Sequence, residues 1–214
     1  MQKTNARYIL AELKHHSPFT MISTFVALVL FTLTSRFIVP GVGVACPCCA
    51  PAHNVAGHLF LTFHLLHILL SCTATTAMFW RHEKSKLKAL AVGLSGALIL
   101  CTISDIALPF LGGTLVGVDM DFHICVIEHP ETVIPLAIVG LFIGLKEISG
   151  RAMTKFAHGS HVFISVLASM FFLVGYGFSE WINYPLITFL ILFFSVLIPC
   201  CLSDIVFPLL FKKN

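Results

Sequence analysis

From residue 18 onward the chain alternates apolar runs of about twenty residues with short polar breaks. Six runs can be read, at 18–38, 56–80, 87–111, 131–149, 159–178 and 184–211. Each is near the length a helix needs to cross the hydrocarbon of a bilayer. The fourth is the least regular, with Pro130 and Pro135 at its start and Gly140 and Gly144 in its middle. The pattern predicts an all-α integral membrane protein with six transmembrane helices. Residues 1–16 are polar and the first apolar run outlasts a signal sequence, so no cleavable leader is expected.

The polar positions inside those runs carry a second pattern. Cys101-Thr-Ile-Ser-Asp-Ile-Ala-Leu-Pro-Phe-Leu111 returns as Cys200-Cys-Leu-Ser-Asp-Ile-Val-Phe-Pro-Leu-Leu210, identical at six of eleven positions. His67-x-x-x-Ser71-x-x-Ala74 returns as His161-x-x-x-Ser165-x-x-Ala168, and Pro18-x-Thr as Pro130-x-Thr. The motifs keep their order in both halves. Residues 1–116 and 117–214 therefore read as two units of three helices each. An odd number of spans inserts the second unit upside down, which predicts a 3+3 inverted repeat with a pseudo-two-fold axis in the membrane plane.

Composition agrees with a bilayer. Hydrophobic residues make up 57% of the 214, charged residues only 11%, and Phe occurs 20 times, as a lipid-facing surface requires. Mean hydropathy is +0.95. The net charge of +3 offers no basic patch for nucleic acid, and what matters is where the charges fall. Of the 13 basic residues, only Arg36 falls on the side opposite Lys3, Arg7, Lys14, Arg81, Lys84, Lys86, Lys88, Lys146, Arg151, Lys155, Lys212 and Lys213. The other side carries Asp119, Asp121, Glu128, Glu131 and Glu180. The positive-inside rule places both termini in the cytoplasm and the chain in the plasma (inner) membrane.

A carboxylate inside an apolar span is costly and is retained where it faces other protein groups with a task. Asp105 and Asp204 are the two such residues. A proline four residues on, at 109 and 208, removes a helical hydrogen bond beside each. The first half adds His67, Ser71 and Ser104, with His64 one turn before His67; the second adds His161, Ser165 and Ser203, with His158 one turn before His161. A spacing of three puts each histidine pair on one helix face. Imidazole with carboxylate is the ligand set of a divalent transition metal: zinc or iron first, then manganese, cobalt or nickel. Interhelical hydrogen bonding is the plainer account of a lone histidine, and close packing that of Ser71 and Ser165.

Helix ends supply further metal-capable groups. His16 opens the first span inside, and His129 and Glu131 open the fourth outside; Glu131 would also complement the helix dipole there. The outer loop from Asp119 through Asp121, His123 and Cys125 to Glu128 reads as a cation-collecting vestibule or as a solvated acidic loop. Cys46, Cys48 and Cys49 in the first outer loop suggest a disulfide with Cys125, or hand-over of a soft metal. The cysteines within the helices read as small apolar fillers.

No phosphate-binding glycine loop, nucleophile motif or nucleotide fingerprint is present, so transport would run on a gradient or a partner. The expected function is a transporter or exchanger of a divalent transition metal with protons as counter-ion, surrounded by lipid and compatible with a homo-oligomer. The alternative is a membrane-embedded metal-dependent enzyme, hydrolase or di-iron in type, using the same residues. The inverted repeat spreads the two sets in depth, with Asp105 toward the outside and Asp204 toward the inside, giving two half-sites or one central site between them, and the spread weighs against a single catalytic centre.

Overall fold

The computed structural model describes residues 6–35, 55–146 and 151–201, with side chains at 14, 16–35, 55–80, 83–146 and 159–200. Among the described residues every regular element is helical. They are α1 (Ala6–Leu33), α2 (Val55–His82), α3 (Lys86–Thr102), α4 (Leu108–Leu115), α5 (Cys125–Glu128), α6 (Pro130–Leu145), α7 (Arg151–Gly175) and α8 (Pro185–Cys201). Among the described residues three stretches are long and apolar enough to cross a membrane: His16–Leu33, Val55–Trp80 and Lys86–Leu115. The last is α3 and α4 joined by a π-helical turn, Ile103–Ala107. Shorter apolar helices lie at Pro130–Leu145, Gly159–Gly175 and Pro185–Cys200.

Helix α2 is the centre of the bundle and packs on α3, α6 and α7, while α1 packs on α7 and α8. Small residues set these distances. A Cβ on Gly140 would lie 2.5 Å from the Leu69 carbonyl oxygen, and one on Gly144 2.7 Å from that of Thr73. Thr73 Oγ1 also donates to the Gly140 carbonyl at 3.2 Å. The glycines that made the fourth run look irregular are thus a small-xxx-small seam that lets α6 lie against α2. Gly140→Ala should cost about 1–3 kcal/mol, since backbone must yield rather than a side chain. Thermal unfolding in detergent checks this; an unchanged midpoint would mean that α6 does not rest on α2 as described.

Both ends of the bundle have a chemical character. The loop after α4 and the loop after α7 meet at one end, where the Asp121 N–H donates to the Tyr176 carbonyl at 2.8 Å. That end carries Asp119, Asp121, Glu128, Glu131 and Glu180; the α2–α3 connection and the end of α6, at the other, carry Lys84, Lys86, Lys88 and Lys146. Aromatic contacts close the acidic end of the core, where Phe31 of α1 stands edge-on to Trp181 and to Phe171 of α7, each at 5.1 Å.

Candidate metal centre

The repeated Ser-Asp-x-x-x-Pro segment makes its own local structure. Pro109 has no N–H to continue the helix, and the backbone relaxes into the π turn, with Leu108 N–H bonded to the Ile103 carbonyl. In that register the bond missing at Pro109 would have gone to the Ser104 carbonyl. Ser169 Oγ of α7 lies 3.1 Å from this oxygen and 2.8 Å from the Ser165 carbonyl, its one hydrogen shared between them. The wider turn holds Ser104 and Asp105 inward, both fully buried.

Asp105 is the focus of four contacts. His64 Nδ1 and His67 Nδ1 reach Oδ2 at 2.8 and 2.6 Å. Ser104 Oγ and Ser165 Oγ donate to Oδ1 at 2.7 and 2.8 Å. A carboxylate only accepts, so both Nδ1 atoms carry hydrogen and His67 turns Nε2 away from Asp105. That Nε2 lies 2.6 Å from Nε2 of His161, one ring donating and the other accepting. Two groups of metal-type donors result, each with its ligand atoms within 4.8 Å of one another: His64, His67 and Asp105, and His67, His161 and Cys200. His67 belongs to both. Among the described residues these are the only groups of three such side chains so close together.

The donors fit a metal. An ion at about 2.0–2.1 Å from two imidazole nitrogens in tetrahedral geometry holds those nitrogens about 3.3 Å apart, so the His67 and His161 rings need only part by a fraction of an ångström. Asp105 on the far nitrogen of His67 is the arrangement in which a carboxylate orients a metal-binding imidazole and raises its basicity.

Other sequence-predicted residues lie elsewhere. His158, Ser203 and Asp204, like Cys46, Cys48 and Cys49, fall outside the residues whose side chains are described. Ser71 is buried one turn beyond His67. His16 is half-buried within α1, at the start of its apolar stretch, and its carbonyl accepts from Thr20 Oγ1. At the acidic end, Glu128 is engaged twice, with Oε1 accepting the Ile124 N–H at 3.1 Å and Oε2 2.8 Å from His123 Nδ1. Burial holds the His123 imidazole below its ordinary pKa despite Glu128. His129 Nδ1 lies 3.6 Å from Glu131, which is exposed in the first turn of α6. Asp119 and Asp121 are exposed. Cys125 is a buried thiol that burial pushes up to about 12, and the cysteines proposed to pair with it lie outside the described residues. The outer groups nevertheless approach the centre: Phe60 stands edge-on to His123 at 6.2 Å and is stacked on His64 at 5.3 Å.

The first-half set meets the second at His67, whose Nε2 lies 2.6 Å from that of His161, while Asp204, the second-half carboxylate, lies outside the described residues. Two helix cysteines, both buried in the apolar core, border that histidine pair. Cys200 joins the His67–His161 pair, and Cys101 Sγ lies 3.8 Å from His67 Nε2. Their signal was present, since these two cysteines open the two copies of the repeated segment. Ser169 also went unread, although it continues the four-residue spacing of His161 and Ser165. A cavity of about 370 Å³ lies at the acidic end between Val116–Val118 and Gly177–Glu180, and none of its lining residues belongs to the cluster.

Compared with known protein families, with curated proteins and with solved structures, the chain matches none. The functional reading therefore rests on the geometry.

Proposed function

We propose that the chain carries a divalent transition-metal ion across a membrane in exchange for protons, and that the ion passes through the cluster around His67. One observation carries the reading. Buried His64, His67, Asp105 and His161 converge from α2, the π turn and α7, in a chain whose helices are apolar enough to span a bilayer. Such groups are costly in hydrocarbon and mark ion or proton paths. A bound ion takes the place of the proton shared between His67 and His161, which couples metal to protons.

The six-span inverted repeat is part of this proposal. In support of it, residues matched by the repeat meet in space: His67 faces His161, and Cys101 and Cys200 both border that pair. A two-fold axis through the His67–His161 contact produces such pairing, and transporters of this kind bind substrate at the interface between their repeats. With 16 residues, α6 reaches about 24 Å and spans with modest help from thinning of the bilayer or from its flanking residues. The basic end is assigned to the cytoplasm. Cysteine labels at residues 83 and 121 should then report opposite sides of the membrane, the first cytoplasmic. Labelling of both from one side removes the six-span arrangement.

The deciding experiment is uptake into proteoliposomes, with zinc, iron, manganese, cobalt and nickel offered in turn. Metal-dependent uptake collapsed by proton ionophores is expected; absence of uptake for every ion ends the transport reading. An intramembrane metal-dependent enzyme is the second reading, favoured by one observation: the ligands gather at a single point, as a catalytic centre requires. Metal binding without transport would shift weight to it.

A further inference from the structure

Two buried cysteines border the His67–His161 pair, and of these Cys200 is the one whose sulfur groups with both imidazoles. Its Sγ lies 3.7 Å from Ser165 Oγ, the hydroxyl that also donates to Asp105. It is within 4.8 Å of ligand nitrogens on both His67 and His161. The three donors come from three helices, α2, α7 and α8, all buried. In a tetrahedral centre with metal–sulfur and metal–nitrogen bonds of about 2.3 and 2.0–2.1 Å, sulfur and nitrogen are about 3.5 Å apart. Side-chain rotation within the observed spacing closes that gap. Charge favours the same arrangement. A divalent ion held by imidazoles alone would leave two uncompensated charges in an apolar interior. One thiolate together with the Asp105 carboxylate cancels both.

We propose that Cys200 is the third ligand beside His67 and His161, and that its thiolate makes the site prefer zinc and other thiophilic ions to manganese and magnesium. The sulfur–metal bond forms as the S–H proton is released, and Asp105 remains outside the ligand sphere, orienting His67. Soft thiolate raises affinity for zinc, cobalt and cadmium far more than for ions that favour oxygen ligands. This inference deepens the metal reading above and depends on the same cluster.

The test uses the full chain in detergent, with Cys46, Cys48 and Cys49 changed to Ser so that outer-loop thiols are silent. Cobalt(II) serves as the probe because its spectrum separates coordination geometry from sulfur ligation. Expected are the visible bands of tetrahedral cobalt together with a near-ultraviolet sulfur-to-cobalt charge-transfer band. In Cys200→Ser and Cys200→Ala the charge-transfer band should disappear, and the preference for zinc over manganese in competition should fall by at least about tenfold. Cys72→Ala removes a buried thiol outside the cluster and should keep the band. Cobalt bound without the band, or a band that survives both Cys200 variants, overturns the inference while leaving transport through the histidines standing. A band in protein that moves no metal into proteoliposomes upholds the Cys200 ligand and overturns the transport reading. No cobalt binding at all overturns both.

Discussion

Asp105→Asn should lower metal affinity by about 10–100-fold and reduce uptake per folded molecule by at least as much. The substitution keeps size and much of the hydrogen bonding. Its amide oxygen can face the Nδ1 atoms of His64 and His67, while its NH₂ meets hydroxyls of Ser104 and Ser165 that can rotate to accept. The lost property is charge. Without it His67 loses the carboxylate that orients the ring, and a divalent ion loses its nearest compensating group. Asp105→Ala has a different result, because four buried donors lose their acceptor at about 1–3 kcal/mol each and folded protein is lost. Asparagine therefore separates function from architecture. The measurement is zinc or cobalt uptake in proteoliposomes, normalised to monodisperse protein; normal uptake by Asp105→Asn removes this carboxylate from the transport path.

The centre was legible in the sequence to the extent that the repeat exposed it. Asp105 stands out because an ionisable group in an apolar run must face protein, and the duplication linked His67 to His161 before any contact was known. Depth is only half legible, because Asp204, the carboxylate set against Asp105, lies outside the described residues. In the structure Asp105, His67, His161 and Cys200 all lie about ten to fifteen residues, or about 15–22 Å, in from that end. Cys200 was hidden by a composition rule that treats buried cysteine as filler. That rule speaks to average behaviour and ignores a cysteine held in register with Ser-Asp. Gly140 and Gly144 make the fourth run look irregular in sequence, because the cost of glycine is visible in one chain segment and the close approach it allows is not.

The two overlapping triads make opposite predictions about His64 and His67. From the sequence, loss of His67 should weaken binding less than loss of the Asp105 charge, since another imidazole lies one turn away. The structure alters that expectation. His67 connects Asp105, through Nδ1, to His161 and Cys200, on the Nε2 side, whereas His64 meets Asp105 and the ring of Phe60. If the ion sits at the Nε2 face, His67→Gln should weaken zinc binding by at least about 100-fold, because a first ligand is removed and Asp105 has no ring to orient. His64→Gln should weaken it by about tenfold or less, since the amide can still donate to Asp105. Glutamine is chosen over alanine so that the buried carboxylate keeps a donor and the protein keeps its fold. Calorimetric zinc titration of the two variants beside the parent gives the order directly. Equal, severe losses at both positions would place the ion instead among His64, His67 and Asp105, with the carboxylate as ligand and His161 and Cys200 outside the sphere.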